Sequence, residues 1–316
     1  MGRPLQDRYS IARAFVAKSV YNHPTTRALI EALHTMPNLR MICGFAKKSD
    51  IPSEATFSRA FSEFAKSELG DRVHKVLVEE HISEELIGHI SKDSTAIKGN
   101  ERPVKKETKE GKEKQGDEKK KRGRPKKGEI REGKKEERRL DKQINQSPEE
   151  ALKEIPTVCD VGTKTNAKGY KESWVGYKFH LDTADCGLPI VGVLTSASLH
   201  DSQVAIPMMK ITTNRINYLY DLMDSAYDAR EIYEMSRALG HVPIIERNAR
   251  RGDAMPMSAA EAIRYNERTV AERSNSRLKG DFGGETVMVR GYKKVKLHLM
   301  FGIIALFADQ LLKLIM

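Results

Sequence analysis

Cysteine, tryptophan and clean apolar runs are all scarce in this 316-residue chain. Its three cysteines, Cys43, Cys159 and Cys186, are too few and too far apart for a disulfide framework or a C-x-x-C zinc knuckle. A reducing, cytoplasmic compartment is the expectation. Met1 to Arg8 hold no apolar stretch of the kind that follows the basic end of a secretory signal. The most apolar run, Leu297 to Met316, is broken by Asp309, Gln310 and Lys313. It falls short of the roughly 20 clean residues that cross a bilayer, so a buried C-terminal helix is expected and no membrane partner. Aliphatic side chains are scarcest between residues 98 and 142, where only Val104, Ile130 and Leu140 occur. So few cannot offset the entropy of ordering the stretch, and 98–150 is expected to be a charged insertion without fixed structure.

The chain has charge instead. Lys and Arg total 55 against 44 Asp and Glu, a net +11, and residues 98–142 hold 20 of the former and 11 of the latter. Nearly all the basic excess therefore sits in one segment, flanked by sequence of ordinary globular composition. Within it, Lys119 to Lys127 surround an Arg122-Gly123-Arg124-Pro125 core. That core resembles an AT-hook, whose arginines, here Arg122 and Arg124, lie along a narrow A·T minor groove. A solvated charged spacer is the competing reading.

The length allows about two domains of roughly 150 residues. Residues 1–88 read as helices. Leu39 to Ala46, a polar turn, and a second helix from about Pro52 to Phe61 follow the helix-turn-helix order. Two readings of the second helix stay open: DNA contact by the Ser58/Arg59 side, or a plain hairpin with Phe57, Phe61 and Phe64 packed inward. From about residue 155 the texture becomes α/β. Tyr177–Leu181, Pro189–Thr195, Ile216–Leu222 and His241–Glu246 are strand-like, with helices over Ser202–Lys210 and Ala229–Leu239. His89–Ile97, before the charged segment, is strand-like too. It is assigned to the same sheet, giving an α/β domain over 89–316 with an insertion between two strands.

Tyr265, Arg268, Glu272 and Lys279 are the densest chemical pattern. On one helix at about 100° per residue they fall within an arc of about 60°. By geometry alone this is also what a solvent face with an Arg268–Glu272 pair looks like. The spacing Tyr265-x(2)-Arg268-x(3)-Glu272-x(6)-Lys279 resembles the Y-(2)-R-(3)-E-(6)-K signature of bacterial insertion-sequence DDE transposases. Trp174-Val175-Gly176-Tyr177-Lys178-Phe179-His180, the segment ending His200-Asp201-Ser202, and Asp224-Ser225-Ala226-Tyr227-Asp228 resemble further segments of that family, in the same order.

The resemblance implies a mixed-sheet RNase H-like catalytic domain preceded by a small all-helical DNA-binding domain. It implies that Asp93, Asp224 and Glu272 are the catalytic acids, holding two Mg²⁺ ions, with Mn²⁺ able to substitute. Carboxylates suit that task because two-metal phosphodiester chemistry needs oxygen ligands from several elements. Tyr265, Arg268 and Lys279 would contact phosphates beside the scissile bond. Implied partners are the terminal inverted repeats, a target DNA and a second copy of the chain in a homodimer. Asp221 and Asp228 compete with Asp224 by position. His200 and Asp201 read as an active-site rim or as a helix N-cap before Ser202, the cap being preferred for Asp201, and Trp174 reads as a core residue rather than one that stacks on a displaced base. A non-catalytic DNA-binding protein on a decayed fold and a stand-alone nuclease are the alternatives.

Overall fold

The computed structural model describes residues 7–104, 137–165, 168–248 and 256–316. Arg122 and Arg124 lie outside the described residues. Five helices come first: α1 (Arg8–Val20), α2 (Thr26–Thr35), α3 (Pro37–Cys43), α4 (Glu54–Lys66) and α5 (Leu69–His81). Side-chain caps start two of them. The Asp7 carboxylate accepts from the backbone of Tyr9 and Ser10, and the Thr25 hydroxyl accepts from Ala28. On α4 the buried positions Phe57, Ala60, Phe61, Phe64 and Ala65 follow a helical period, while Ser58 and Arg59 face outward. The two readings of this helix thus describe its opposite faces.

Among the described residues, six strands build one mixed sheet: β1 (Leu86–Lys98), β2 (Asp160–Thr165), β3 (Lys171–Ala184), β4 (Pro189–Ser196), β5 (Asn217–Met223) and β6 (Val242–Ile245). Their order is β2-β3-β1-β5-β6, with β4 also on β3. Strand β3 is antiparallel to β1, β2 and β4, whereas β1–β5 and β5–β6 are parallel. Parallel neighbours need crossover connections, supplied here by helices α8 (Ser202–Thr213) and α9 (Arg230–Ala238). This is the α/β arrangement expected from the sequence, with β2 added.

The insertion leaves the sheet after Lys98 and rejoins it at β2, which pairs with β3. Its end departs from expectation, because α6 (Arg139–Asn145) and α7 (Pro148–Lys153) are helical. Leu140 is buried in a cluster with Met209, Met223 and Ile232. Lys210 donates to the carbonyls of Gln143, Ile144 and Gln146 at 2.9, 2.9 and 2.7 Å, satisfying the end of α6. Ser147 and Glu150 form a capping box that starts α7. A few aliphatic anchors, Leu140 with Ile144 on α6 and Ala151 with Leu152 on α7, and a cationic cap therefore suffice where composition predicts no order.

The long helix α12 (Tyr292–Ile315) is apolar enough to cross a membrane by length and composition, yet Leu297 through Phe307 are buried inside the protein. Leu297, Phe301 and Ile304 join the core of the N-terminal helices, where the Phe15 and Phe301 rings stack at 5.8 Å. Leu299, Ile303 and Leu306 pack on Phe179 and Leu181 of β3. Burial on all sides explains the unbroken apolar pattern. Beyond it, Leu312, Leu314 and Ile315 are exposed, so the burial expected for the whole run stops short of the C-terminal end.

Three buried histidines link these layers. His74 bonds the carbonyl of Pro189, His180 the hydroxyl of Thr195 and His298 the carbonyl of Gly283. Burial pushes each imidazole down to about 4. An imidazole whose folded pKa lies below its unfolded value of about 6.5 contributes stability that is fully present above that value and lost as pH falls toward 4. The melting temperature is accordingly expected to hold above about pH 6.5 and to fall between about pH 6.5 and 4. A scan showing no change over that window would contradict the burial of these neutral rings.

Candidate active site

Strand β1 alternates its side chains, so Lys92 and Asp93 point to opposite faces of the sheet. Lys92 goes inward. It lies 2.6 Å from Asp182 and 3.5 Å from Asp221, all three residues being buried. Asp93 goes toward helix α11 (Thr269–Gly280), where Asn275 donates to its Oδ2 at 3.0 Å. Burial pushes the Asp93 carboxyl up to about 6, and the negative charge of Asp224 adds to this against the pull of Asn275, the Ser94 backbone and Arg268.

The register explains why Asp224 is near. Parallel pairing sets Leu86 beside Asn217 and Ser91 beside Leu222. Two residues further along, the same offset brings Asp224 level with Asp93. Asp224 directly follows β5 and caps the short 3₁₀ turn Ser225–Tyr227, accepting from the Ala226 backbone at 2.9 Å. Burial raises its carboxyl above the ordinary range, the Ala226 bond opposes this, and the charge of Asp201 adds to it. The two competitors are otherwise engaged. Asp221 is fully buried and accepts from Tyr218 and Ser236, and Asp228 accepts from the Asn248 backbone.

Glu272 lies on α11 four residues after Arg268 and three before Asn275, hence on one helical face. Arg268 Nη2 bonds Glu272 at 2.7 Å, and its Nη1 is 4.0 Å from Asp93. The charge of Asp224 also acts on this guanidinium. One arginine thus stands among the three acids.

The single helix expected for Tyr265 to Lys279 is two. Helix α10 (Ala259–Asn266) ends before Arg268, which precedes α11. Bonds from Glu267, Arg268, Val270 and Ala271 each reach back three residues instead of four, and this tighter winding breaks the common stripe. Tyr265 instead meets Arg268 ring to guanidinium at 5.6 Å and bonds Glu246 at 3.1 Å. Burial pushes its phenol up to about 12. Lys279, on the last turn of α11, lines a cleft of about 230 Å³ with Trp174, Lys98, Lys164 and Glu285. Arg59 belongs to the outward face of α4, its Nε bonded to the Ala55 carbonyl.

Trp174 is not a core residue. Its indole donates to the Tyr177 carbonyl at 2.9 Å and its ring covers Gly162, where an added Cβ would lie 2.3 Å from the ring. Gly176 follows with φ +148°, and a Cβ there would sit 2.2 Å from the Ile97 carbonyl oxygen. Close approach of β3 to the end of β1 therefore requires glycine at this point.

Asp201 occupies the expected N-cap position of α8, but its side chain does not cap the helix. Its carboxylate makes no capping bond there; His200 Nδ1 accepts from the Ser202 backbone instead, at 3.4 Å. The Asp201 carboxylate accepts from Lys178 at 2.8 Å and lies 3.9 Å from His180. Burial pushes that carboxyl up, but His180, Lys178 and a Ser94 hydrogen bond outweigh it and hold the group below the ordinary range. Lys178, Ser94 and Asn275 are the site residues that sequence reasoning left unassigned, while for Asp201 the rim reading fits its partners better than the cap. The only advance signal was the shared placement of Lys178 and His180 in the Trp174–His180 segment.

Among the described residues, no three His, Cys, Asp or Glu side chains enclose a ready-made metal cage. The donor chemistry nevertheless fits a hard divalent cation: the acids are oxygen donors, and Asp93 and Asp224 each carry a carboxyl raised by burial and by a neighbouring negative charge.

Residues 87–308 match the family described as Transposase DDE domain, and residues 1–63 match Transposase domain (DUF772). A search of curated proteins finds no match. The DDE match takes in β1 with Asp93, β5 with Asp224, α11 with Glu272, and most of α12. By that match and by its mixed sheet, the chain belongs to the DDE transposases, a family with an RNase H-like fold that acts on DNA and generally uses divalent metal ions.

Proposed function

We propose that this transposase binds the terminal inverted repeats of its insertion sequence, cleaves at the ends and joins the freed 3′-OH to target DNA, with Asp93, Asp224 and Glu272 as its catalytic acids. The observation that carries the reading is the parallel register that brings Asp224 level with Asp93, together with Arg268 reaching both Asp93 and Glu272. These three side chains would hold two Mg²⁺ ions, or Mn²⁺ in their place. Bound there, the ions supply activation of the attacking oxygen and stabilisation of the leaving one.

The remaining work falls to the chain. Arg268 and Lys279 neutralise phosphate oxygens beside the scissile bond, and charge-assisted hydrogen bonds fix its position. Tyr265, braced by Glu246, orients the Arg268 guanidinium by stacking. The N-terminal helices, 1–88, bind the repeats through the outward face of α4 that carries Arg59. The basic segment with Arg122 and Arg124 adds affinity independent of sequence. A homodimer in the cytoplasm holds both element ends at once.

The test is a strand-joining assay on a repeat-ended duplex with a target plasmid. Cleavage and joining are expected in Mg²⁺ or Mn²⁺, binding without efficient cleavage in Ca²⁺, and neither product in chelator. Cutting that persists in chelator would refute the metal-dependent reading. Cutting in Mg²⁺ without joined product would identify a nuclease instead.

A further inference from the structure

A second cationic site lies away from the acids. Between α1, α4 and α12 the chain encloses a cleft of about 320 Å³, lined in part by Lys18, Ser58, Arg290, Lys294 and Glu54. Lys18 is the unusual member. It sits on α1 in a helical core with a relative exposure of 9 %, yet among the described residues it has no carboxylate partner. Arg290 and Lys294 have none among the described residues either. Among the described residues the one acid on the lining, Glu54, is paired with Arg27 at 3.7 Å. His298, at the wall, is occupied by the Gly283 carbonyl.

Lys18 is the buried cation, for which lacking a partner is costly unless a ligand supplies one, and the exposed Arg290 and half-buried Lys294 add positive charge at the same cleft. Burial alone lowers the Lys18 ammonium to about 8, which shows how poorly the protein itself compensates it. The size of the cleft admits a phosphate group with its ester oxygens. Its location narrows the source: Ser58, on the lining, belongs to the outward face of α4 beside Arg59. An anion seated here therefore borders the helix face that is proposed to meet DNA.

We infer that this cleft is a backbone-phosphate site, in which Lys18, Arg290 and Lys294 grip a phosphodiester of the duplex and so set the register of α4 on it. The inference rests on the proposed binding of DNA by the N-terminal helices. Phosphate contacts of this kind position a protein without reading sequence.

The test measures affinity of the full chain for a repeat-bearing duplex across a salt series, for wild type, Lys18→Met and the double variant Arg290→Gln/Lys294→Gln. Each lost phosphate contact is expected to reduce the slope of log K against log salt by about 0.9 and to weaken binding about tenfold at low salt. Lys18→Met should keep or raise the melting temperature, since it removes an unpaired buried charge; that result separates a binding lysine from a structural one. Competition by inorganic phosphate distinguishes the source. Equal slopes for wild type and Lys18→Met would overturn the inference, as would phosphate binding that leaves duplex affinity unchanged. Failure of wild type to bind the duplex at all would instead overturn the underlying reading of the N-terminal helices.

Discussion

Replacing Glu272 with Gln is expected to lower strand cleavage by about three orders of magnitude or more while leaving duplex binding within about twofold, the pattern of a group needed only for the transition state. Glu272 is half exposed on α11 and makes one strong contact, with Arg268. Gln keeps the shape and the hydrogen bond, so folding is spared. What it removes is the negative charge. The carboxylate of the pair is half exposed to solvent, which screens the attraction and leaves little for a structural role to explain. Cleavage by Glu272→Gln within about tenfold of wild type in a gel assay would remove Glu272 from the catalytic set.

The second large effect is on stability. Lys92→Met is expected to cost about 3–5 kcal/mol, because removing one partner of a buried ionic cluster leaves the others uncompensated. Lys92 stands between Asp182 and Asp221, and both carboxylates are fully buried. Burial already pushes the Asp182 carboxyl up, against the pull of Lys92 and the Thr212 hydrogen bond. Without the lysine two buried acids face each other. Asp182→Asn should be milder, since it leaves the Lys92–Asp221 pair in place. Denaturant unfolding measures both. A Lys92→Met loss below about 1 kcal/mol would show that the cluster is solvated or protonated in the native protein. Because Lys92 and Asp93 are successive residues of β1, this cluster also anchors the strand that presents the first acid.

What the sequence shows and what it hides follow a physical pattern. Strands β3, β4 and β5 are legible because Phe179, Leu181, Val191, Val193 and Leu222 give apolar runs. Strand β2, Asp160–Thr165, is not: its one buried position is Gly162, hidden beneath Trp174, which leaves no hydrophobic signal. The same contact explains why Trp174 reads as core and is not. Helices α6 and α7 are masked by the charge around them, and the first is anchored in a hydrophobic cluster by Leu140 and the partly buried Ile144. The break before α11 carries neither proline nor glycine; tighter hydrogen bonding makes it, and no residue type announces that. Asp201 sits where caps are common, and its actual partner, Lys178, is 23 residues away on β3. Order along the chain points to the three acids, whereas the polar residues that brace them depend on strand register and helix facing.

Those acids are tested most directly by mapping the strand ends formed on a duplex that carries the terminal repeat, in Mg²⁺, with wild type and Asp224→Asn side by side. The account predicts a 3′-OH end at the element boundary for wild type and no cut for Asp224→Asn, with duplex binding preserved. The same cut at an undiminished rate in Asp224→Asn would contradict it.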